Sequence, residues 1–446
     1  MPAIITNAFR TYNADNFIDA FSTNKMYLMI GKADSWSGAD LGQYSESSPS
    51  DTAIPTPKDT TVAPYIHHND MISAKLINAS DVSHVVKRTD WTSGTIYTEY
   101  DHNQDDQIDQ TFFVMTDQYN VYKCISNYGG AASTVKPTGQ TSGIFDTSDN
   151  YRWKFMYEVQ QADVLKYVTT DWIPIKYLTS NDGTAQWTVQ QAAKDGALEH
   201  IDVTNGGTGY VNTNTGTALA GSTSTTIKLA ATASATDDIY NSMTVYISSG
   251  TGSGQIKTIT DYVGSTKVAT VSTWTTTPEA TSVYEVMPAV TITDADPEGS
   301  GTGAAARCTS VIGGVIKKIA MTEVGLGYRQ ATATLTGGGG SNCVLEPRIG
   351  PKNGHGKNPK TELGGAYVMM NVRLTGTEGG DFVVGDDFRK VILITNPNAS
   401  GAAATATTYS GTELDDDSGE QIYVEYRAPI NRASDQTEDV KLVVEF

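Results

Sequence analysis

The stretch that most constrains the fold lies near the C-terminus, where residues 385–397 read GDDFRKVILITNP. Val391, Ile392, Leu393 and Ile394 are consecutive and largely β-branched, with charged residues before them and Asn396-Pro397 after, the pattern of a strand buried on both faces. Such a strand belongs at the centre of a sheet. Residues 421–427 alternate instead, with Ile422, Val424 and Tyr426 on one face and Tyr423, Glu425 and Arg427 on the other, which predicts a strand with one wet face. Pro429 is expected to end it, because proline has no N–H to give to a ladder.

A chain of 446 residues is long for one domain and ample for a sizeable core, so two or three domains are expected. Its 42 glycines, 23 tyrosines and Thr/Ser/Val-rich stretches favour a β-dominated fold with many turns. The formal net charge of −19 opposes binding to phosphate backbones, where affinity comes from Lys and Arg displacing counterions, so no nucleic-acid partner is expected. Three cysteines, Cys124, Cys308 and Cys343, make no disulfide framework and suit a reducing compartment. The sequence opens without a basic start and apolar core, and no apolar run approaches the roughly 20 residues of a membrane span. The reading is a protein kept in the cytosol before assembly, without membrane insertion.

Phe17, Ile18 and Phe21 at helical spacing, with Asn13 and Asp15 as caps, predict a short helix over 13–22 that docks on a sheet. A strand over 25–31 and a polar loop over 36–64 should follow. Ser80 is placed to cap a second helix with Val82, Val85 and Val86 facing inward and Lys87-Arg88 at its end. Strands are predicted over 95–100, 112–115, 120–125 and 151–159, the middle two as a hairpin, then a helical turn or two over 163–168 and a strand over 172–178.

Several of these residues carry a resemblance. Phe388-Arg389, Ile394-Thr395-Asn396-Pro397, Ser418-Gly419-Glu420, Ile422-Tyr423, Glu425, Arg427, Pro429-Ile430, Asp435-Gln436-Thr437-Glu438 and Phe446 resemble, in order and spacing, the C-terminal part of a baseplate wedge subunit from contractile-tailed, T-even-type phages. Arg88, Asp90-Trp91, Tyr122, Cys124, Asp149, Tyr151, Trp153 and Glu158 extend the resemblance upstream, over residues 1–180 and 354–446. It implies a mainly-β structural protein of the virion tail baseplate, assembled in the host cytoplasm. It further implies a homodimer that holds other baseplate wedge proteins together at the tail tip and contributes to host attachment and the triggering of contraction. Tail-fibre-bearing subunits are a further partner that it allows.

Between the two matching parts the composition shifts to Gly, Thr, Ser and Ala. Residues 196–210, GALEHIDVTNGGTGY, align without gaps to 314–328, GVIKKIAMTEVGLGY, with identities at Gly196/Gly314, Ile201/Ile319, Thr204/Thr322, Gly207/Gly325, Gly209/Gly327 and Tyr210/Tyr328. Each copy reads as a strand, a turn whose glycines permit positive φ, and a Tyr that packs back. The second copy runs directly into 331–336, whereas the first meets its equivalent, 289–293, only after a stretch with strands of its own. That stretch resembles exchangeable β-modules of phage virion proteins. The expected organisation is a multi-layer β-sandwich core with a few short helices, made by 1–185 and 350–446. An inserted β-repeat domain, 186–221 and 288–349, interrupts it and carries a nested small β-domain over 222–287. Cys308 and Cys343 should lie near each other in the repeat, unbonded.

Chemistry is sparse. Asp101, Asn103, Asp105 and Asp109 imitate the start of a calcium loop, but Asp106 stands where the turn needs Gly and Phe112 where a bidentate Glu is needed. His67-His68 lack a third ligand at a zinc spacing, and His84, His102, His200 and His355 stand singly. Gly354-His355-Gly356 and the glycines at 337–340 lack the Lys-Ser/Thr and helix of a phosphate loop. No nucleophile elbow occurs, and Asp415, Asp416 and Asp417 stand in a polar loop. No catalytic residue, metal or cofactor is assigned, and the chain is not read as an enzyme. The alternative function is a host-surface-binding tail protein, for a receptor or glycan, acting through the inserted modules.

Overall fold

The structure is a computed structural model that describes residues 5–32, 54, 71–104, 107–374, 382–411, 413–415, 418–435 and 439–446. The fold is mainly β, in several antiparallel sheets with a few short helices, as expected. Two compact units divide the chain: Met1–Arg88 with Val159–Tyr177 and Pro359–Phe446, and Thr89–Glu158 with Leu178–Asn358.

In the first unit two sheets share one core. The five-stranded sheet has the order Thr408–Ser410, Met71–Ile77, Met26–Gly31, Asp387–Thr395, Glu420–Asn431. The four-stranded sheet has the order Asp439–Glu445, Tyr367–Arg373, Val82–Lys87, Trp172–Ile175. The apolar run of 391–394 therefore lies one place in from an edge, and the middle place falls to Met26–Gly31, every residue of which is buried. Both faces of these two strands are covered, as the run predicts. Leu28, Ile30, Val391 and Leu393 meet Val368, Met370 and Leu442 of the other sheet, while Tyr27, Met29, Ile392 and Ile394 pack under Ala404, Leu414 and Tyr409. Each fully buried aliphatic side chain contributes about 1.5–3 kcal/mol by leaving water.

Tertiary pairing overrides local signals at several places. The helix at the N-terminus runs from Asn7 to Thr23, longer than expected, because Thr6 and not Asn13 or Asp15 caps it by accepting from the Phe9 N–H at 3.3 Å. Its Phe17, Ile18 and Phe21 pack on the core as expected, and Ala14 joins them. After Ser80 the expected helix is only a 3-10 turn, Ala79–Asp81, and Val82–Lys87 is a strand. Its β-branched side chains suit a pleat that pairs with Tyr367–Arg373 on one side and Trp172–Ile175 on the other. Pro429 does not end its strand: Glu420–Asn431 runs through it, because an edge strand loses no ladder bond to a missing N–H. Nor is one face of that strand simply wet, since Tyr423 packs on the inner cluster and Val424 on the outer one. Apart from Ile54, the expected polar loop over 36–64 lies outside the described residues.

Among the described residues the second unit holds three sheets. Phe113–Met115, Asn120–Ser126, Arg152–Glu158 and Ile144–Asp146 form one in that order, and the expected hairpin turns at Tyr119 with φ of 60°. Tyr97, Tyr122, Tyr151, Trp153 and Phe155 cluster with Val189 of the helix Ala185–Ala192. Residues 95–100, expected as a strand, join no ladder beyond an isolated bridge at Thr95, because Tyr97 is drawn into the aromatic cluster. Strands from Asn214–Thr217 to Val283–Met287 make a separate six-stranded sheet around Tyr240, Tyr262, Trp274 and Tyr284.

The repeat forms the third sheet, ordered Val315–Leu326, Thr302–Ile312, Ala289–Asp294, Ala331–Thr336, Ser341–Ile349, Leu198–Thr208. This order is a palindrome: the second strands of the two copies pair at its centre, and the first strand of each copy pairs with the third strand of the other. The sheet also curls until its outer strands meet, so that a Cβ on Gly206 would lie 2.3 Å from the Ile316 carbonyl oxygen. Cys308 and Cys343 pack in its core as free thiols, and Cys124 is free and buried elsewhere.

Candidate interaction surface

No group of three or more His, Cys, Asp or Glu among the described residues is placed to hold a metal. Asp101 is 2.7 Å from Arg348 and accepts from the Asn103 N–H at 2.9 Å, the bond of a polar turn. Asp105, Asp106, His67, His68, Asp416 and Asp417 lie outside the described residues. Burial pushes the His200 imidazole well below its ordinary range, helped by Arg152, Arg348 and Lys318, and does the same to His355 beside Lys123 and Lys154, so both are neutral. Burial also lowers His102.

Two charged residues escape sequence reasoning. Lys123 and Lys154 stand directly opposite each other on adjacent strands at 0% and 1% exposure. Like charges so placed repel, and each is tethered: the Lys123 ammonium lies 4.3 Å from the Tyr100 ring centroid, and Lys154 donates to the Ser142 carbonyl at 2.7 Å with Glu199 at 3.7 Å. Alternation around Lys123 predicts a strand but not that both its faces are covered.

One surface with sheet edges beside apolar grooves lies in the first unit. Glu420–Asn431 and Asp439–Glu445 follow each other in the chain, and each is the edge of its sheet. They flank one core cluster, and two grooves reach that cluster beside them. The first holds about 440 Å³ between Met26, Leu393, Ile422, Tyr423 and the rings of Phe17 and Phe446, whose centroids are 5.0 Å apart. The second holds about 500 Å³ between Phe382, Phe388, Val391, Ile430, Arg432 and Leu442.

Polar groups frame these grooves. Arg10 donates to the Phe446 carbonyl at 2.6 Å and pairs with Glu445, with its guanidinium 5.8 Å from the Tyr367 ring centroid. The Tyr423 hydroxyl donates to Glu425 at 3.0 Å, and burial, with that carboxylate adding to it, pushes the phenol up to about 12, so it stays a neutral donor in ordinary conditions. Phe9 and Tyr12 on the helix are 54% and 60% exposed, and Ile5, just before its cap, is 66% exposed. Apolar grooves beside the edge strands of sheets offer hydrophobic contact, one of the means by which proteins hold other proteins.

The fold and this surface describe a β-rich scaffold that presents an interaction seam. Residues 374–446, which contain both edge strands and most of the groove lining, match the family described as Phage-Gp8: Bacteriophage T4, Gp8. The match supports a T4-like baseplate protein, with a structural role among other baseplate proteins and a place in the virion tail. No curated protein matches the chain.

Proposed function

We propose that the protein is a wedge subunit of a contractile-tailed phage baseplate, holding wedge proteins together in the plate at the tail tip. The observation that carries this reading is that the family match over 374–446 falls on the two edge strands and the grooves beside them. In this reading the chain acts as a homodimer, contacts wedge neighbours and tail-fibre-bearing subunits, is assembled in the host cytoplasm, and contributes to attachment and to the triggering of contraction. Residues 1–185 and 350–446 form the core that serves this role, and the repeat module with its nested domain, 186–349, is an insertion into it. The role is mechanical and needs no turnover.

Mass by light scattering tests the dimer: twice the chain mass over a tenfold concentration range is expected, and a clean monomer or trimer overturns it. Stoichiometric capture of the other baseplate proteins of the same phage, weakened at least tenfold by Ile422→Glu, tests the seam. Capture unaffected by that change moves the interface elsewhere, and hydrolysis of host polysaccharide would place the protein among tail enzymes.

A further inference from the structure

Each copy of the repeat has its strand partners in the other copy. The first copy supplies Leu198–Thr208, Ala289–Asp294 and Thr302–Ile312, and the second supplies Val315–Leu326, Ala331–Thr336 and Ser341–Ile349. Between copies the ladders are long. Thr302 to Ile312 pairs against Leu326 to Val315, every residue of Ala289–Asp294 has a partner in Ala331–Thr336, and Ser341 to Ile349 pairs against Thr208 to Leu198. Within a copy the register pairs among the described residues are Ala289 with Arg307 and Ala333 with Leu345, one for each. The crossed pattern continues outside the ladders, where the Gly327 N–H donates to the Asp195 carbonyl oxygen at 2.9 Å. A copy by itself would leave rows of backbone N–H and C=O groups without ladder partners.

The covalent link between the copies is slight. Gly313 and Gly314, with φ of 60° and 76°, are the two residues that join Thr302–Ile312 to Val315–Leu326. A Cβ on Gly313 would meet nothing within 4 Å beyond its chain neighbours. Glycine takes extended dihedrals as readily as turned ones, so this turn can open into a straight connection between the same two strands. An exchange at that point carries residues 315–446 across together and keeps every strand pair of the fold, now formed by two chains.

We propose that the repeat is an exchangeable joint whose partner is a second copy of this chain: the first copy in one chain pairs with the second copy in another, and Gly313-Gly314 is the hinge. Chain order favours the encounter. Leu198–Thr208 is separated from its ladder partner Ser341–Ile349 by the whole nested sheet, so in neighbouring chains that are still folding it waits with an open ladder. In a single chain at low concentration closure wins, because a short linkage holds its two ends at an effective concentration of about millimolar or above. The joint lies apart from the seam of the first unit and does not rest on the baseplate reading.

Ala305 and Glu323 are exposed and directly opposed across the two copies, so a cysteine at each lies within reach of a disulfide. Full chains carrying Ala305→Cys alone and Glu323→Cys alone are mixed, unfolded in urea, refolded together and oxidised with glutathione disulfide. A reducible dimer joined through positions 305 and 323, identified by peptide mass spectrometry, is expected from the mixture and not from either variant alone. While the joined form is the minor one, its ratio to the unjoined chain should rise about tenfold for a tenfold rise in protein concentration during refolding. Deleting Gly313 and Gly314 in both chains leaves no residues for the two-residue turn and should make the joined form predominant. Ile422→Glu in both chains should leave the yield unchanged, which separates the joint from the seam. Absence of the 305–323 crosslink from the mixture, a yield independent of concentration, or its loss with Ile422→Glu overturns the proposal. The mixture with the natural turn decides the matter even where the deletion variant precipitates.

Discussion

The backbone N–H of Tyr210 donates to the carbonyl oxygen of Gly314 at 3.0 Å. The same bond recurs with the copies exchanged, from Tyr328 to Gly196 at 3.1 Å, so the tyrosine that closes each repeat is tied to the glycine that opens the other. Together with the palindromic strand order, this makes the repeat sheet an intramolecular pair of interlocked halves, neither of which completes its own hydrogen bonding. The glycines at these junctions carry the geometry: Gly196 and Gly314 have φ of 63° and 76°, a region L side chains rarely enter.

The two glycines should nevertheless differ in tolerance. A Cβ on Gly196 would lie 2.5 Å from the Tyr328 nitrogen, whereas the nearest atom to one on Gly314 is 3.4 Å away. Gly314→Ala should cost about 1–2 kcal/mol, the left-handed strain alone, and Gly196→Ala about 2–5 kcal/mol once overpacking is added. Urea denaturation of the full chain checks this, and equal costs would show that the Gly196 junction yields.

Asp149 predicts an acid-sensitive loop. Its Oδ2 accepts from the Thr134 and Val135 N–H groups at 2.7 and 2.9 Å, and its Oδ1 accepts from the Thr147 hydroxyl. Burial raises its carboxyl, but these bonds outweigh that and leave it below the ordinary range. A depressed folded value means stabilisation that is present above the unfolded value, about 3.9, and is lost as pH falls through the folded one. Asp149→Ala should therefore cost about 1–2 kcal/mol near neutral pH, discounted for solvent screening. The difference from the natural protein should narrow steadily below about pH 4. Melting at several pH values checks it, and a constant difference would refute the linkage.

What the sequence shows of this fold is what is encoded locally. The run at 391–394, the helical spacing of Phe17 and Phe21, and the paired glycines of the repeat each act over a few residues, and each appears in the structure. Partner choice is not local: the valines of Val82–Lys87 become strand because two neighbours pair with them, and the same alternation that marks Asn120–Ser126 as a strand hides a lysine at 0% exposure. The seam is equally hidden, since the apolar content of Glu420–Asn431 is plain but its place at an edge depends on the order of five strands. Interlocking of the repeats has no local signal, because pairing within a copy and across copies would use the same residues.

Pro429 should act as a guard on its edge. A long exposed edge strand is a template for pairing with another chain, and a proline blunts it by removing one donor. Pro429→Val should leave the unfolding midpoint within the range of about 0.5 kcal/mol usual for surface changes while raising the rate of self-association. Light scattering over time checks this; an unchanged rate would show that the side chains and irregular register of Glu420–Asn431 protect the edge without the proline.

Excision of the nested sheet should leave the interlocked repeat folded. Asn214 and Val286 are direct cross-strand partners, so the chain enters and leaves this sheet at adjacent points. Directly opposed residues lie about 5 Å apart, a gap that a two-residue Asn-Gly turn spans. Replacing residues 215–285 by Asn-Gly removes the core around Tyr240, Tyr262, Trp274 and Tyr284 as one piece, and that core draws on no residue outside 218–286 among its buried members. The change also removes contacts to the repeat: Arg307 loses its ion pair with Glu285 at 2.8 Å and its place over the Tyr246 ring at 3.9 Å, and Gly337 loses the neighbouring Met243. Arg307 is partly exposed and returns to water, so its lost ion pair should cost only about 1 kcal/mol. Shortening the connection works in the other direction, since loop-closure entropy falls by about 0.6 kcal/mol for each halving of length. The expected product is soluble and melts cooperatively within a few degrees of the full chain. Aggregation, or loss of the repeat's transition, would show that the nested sheet completes the repeat's fold.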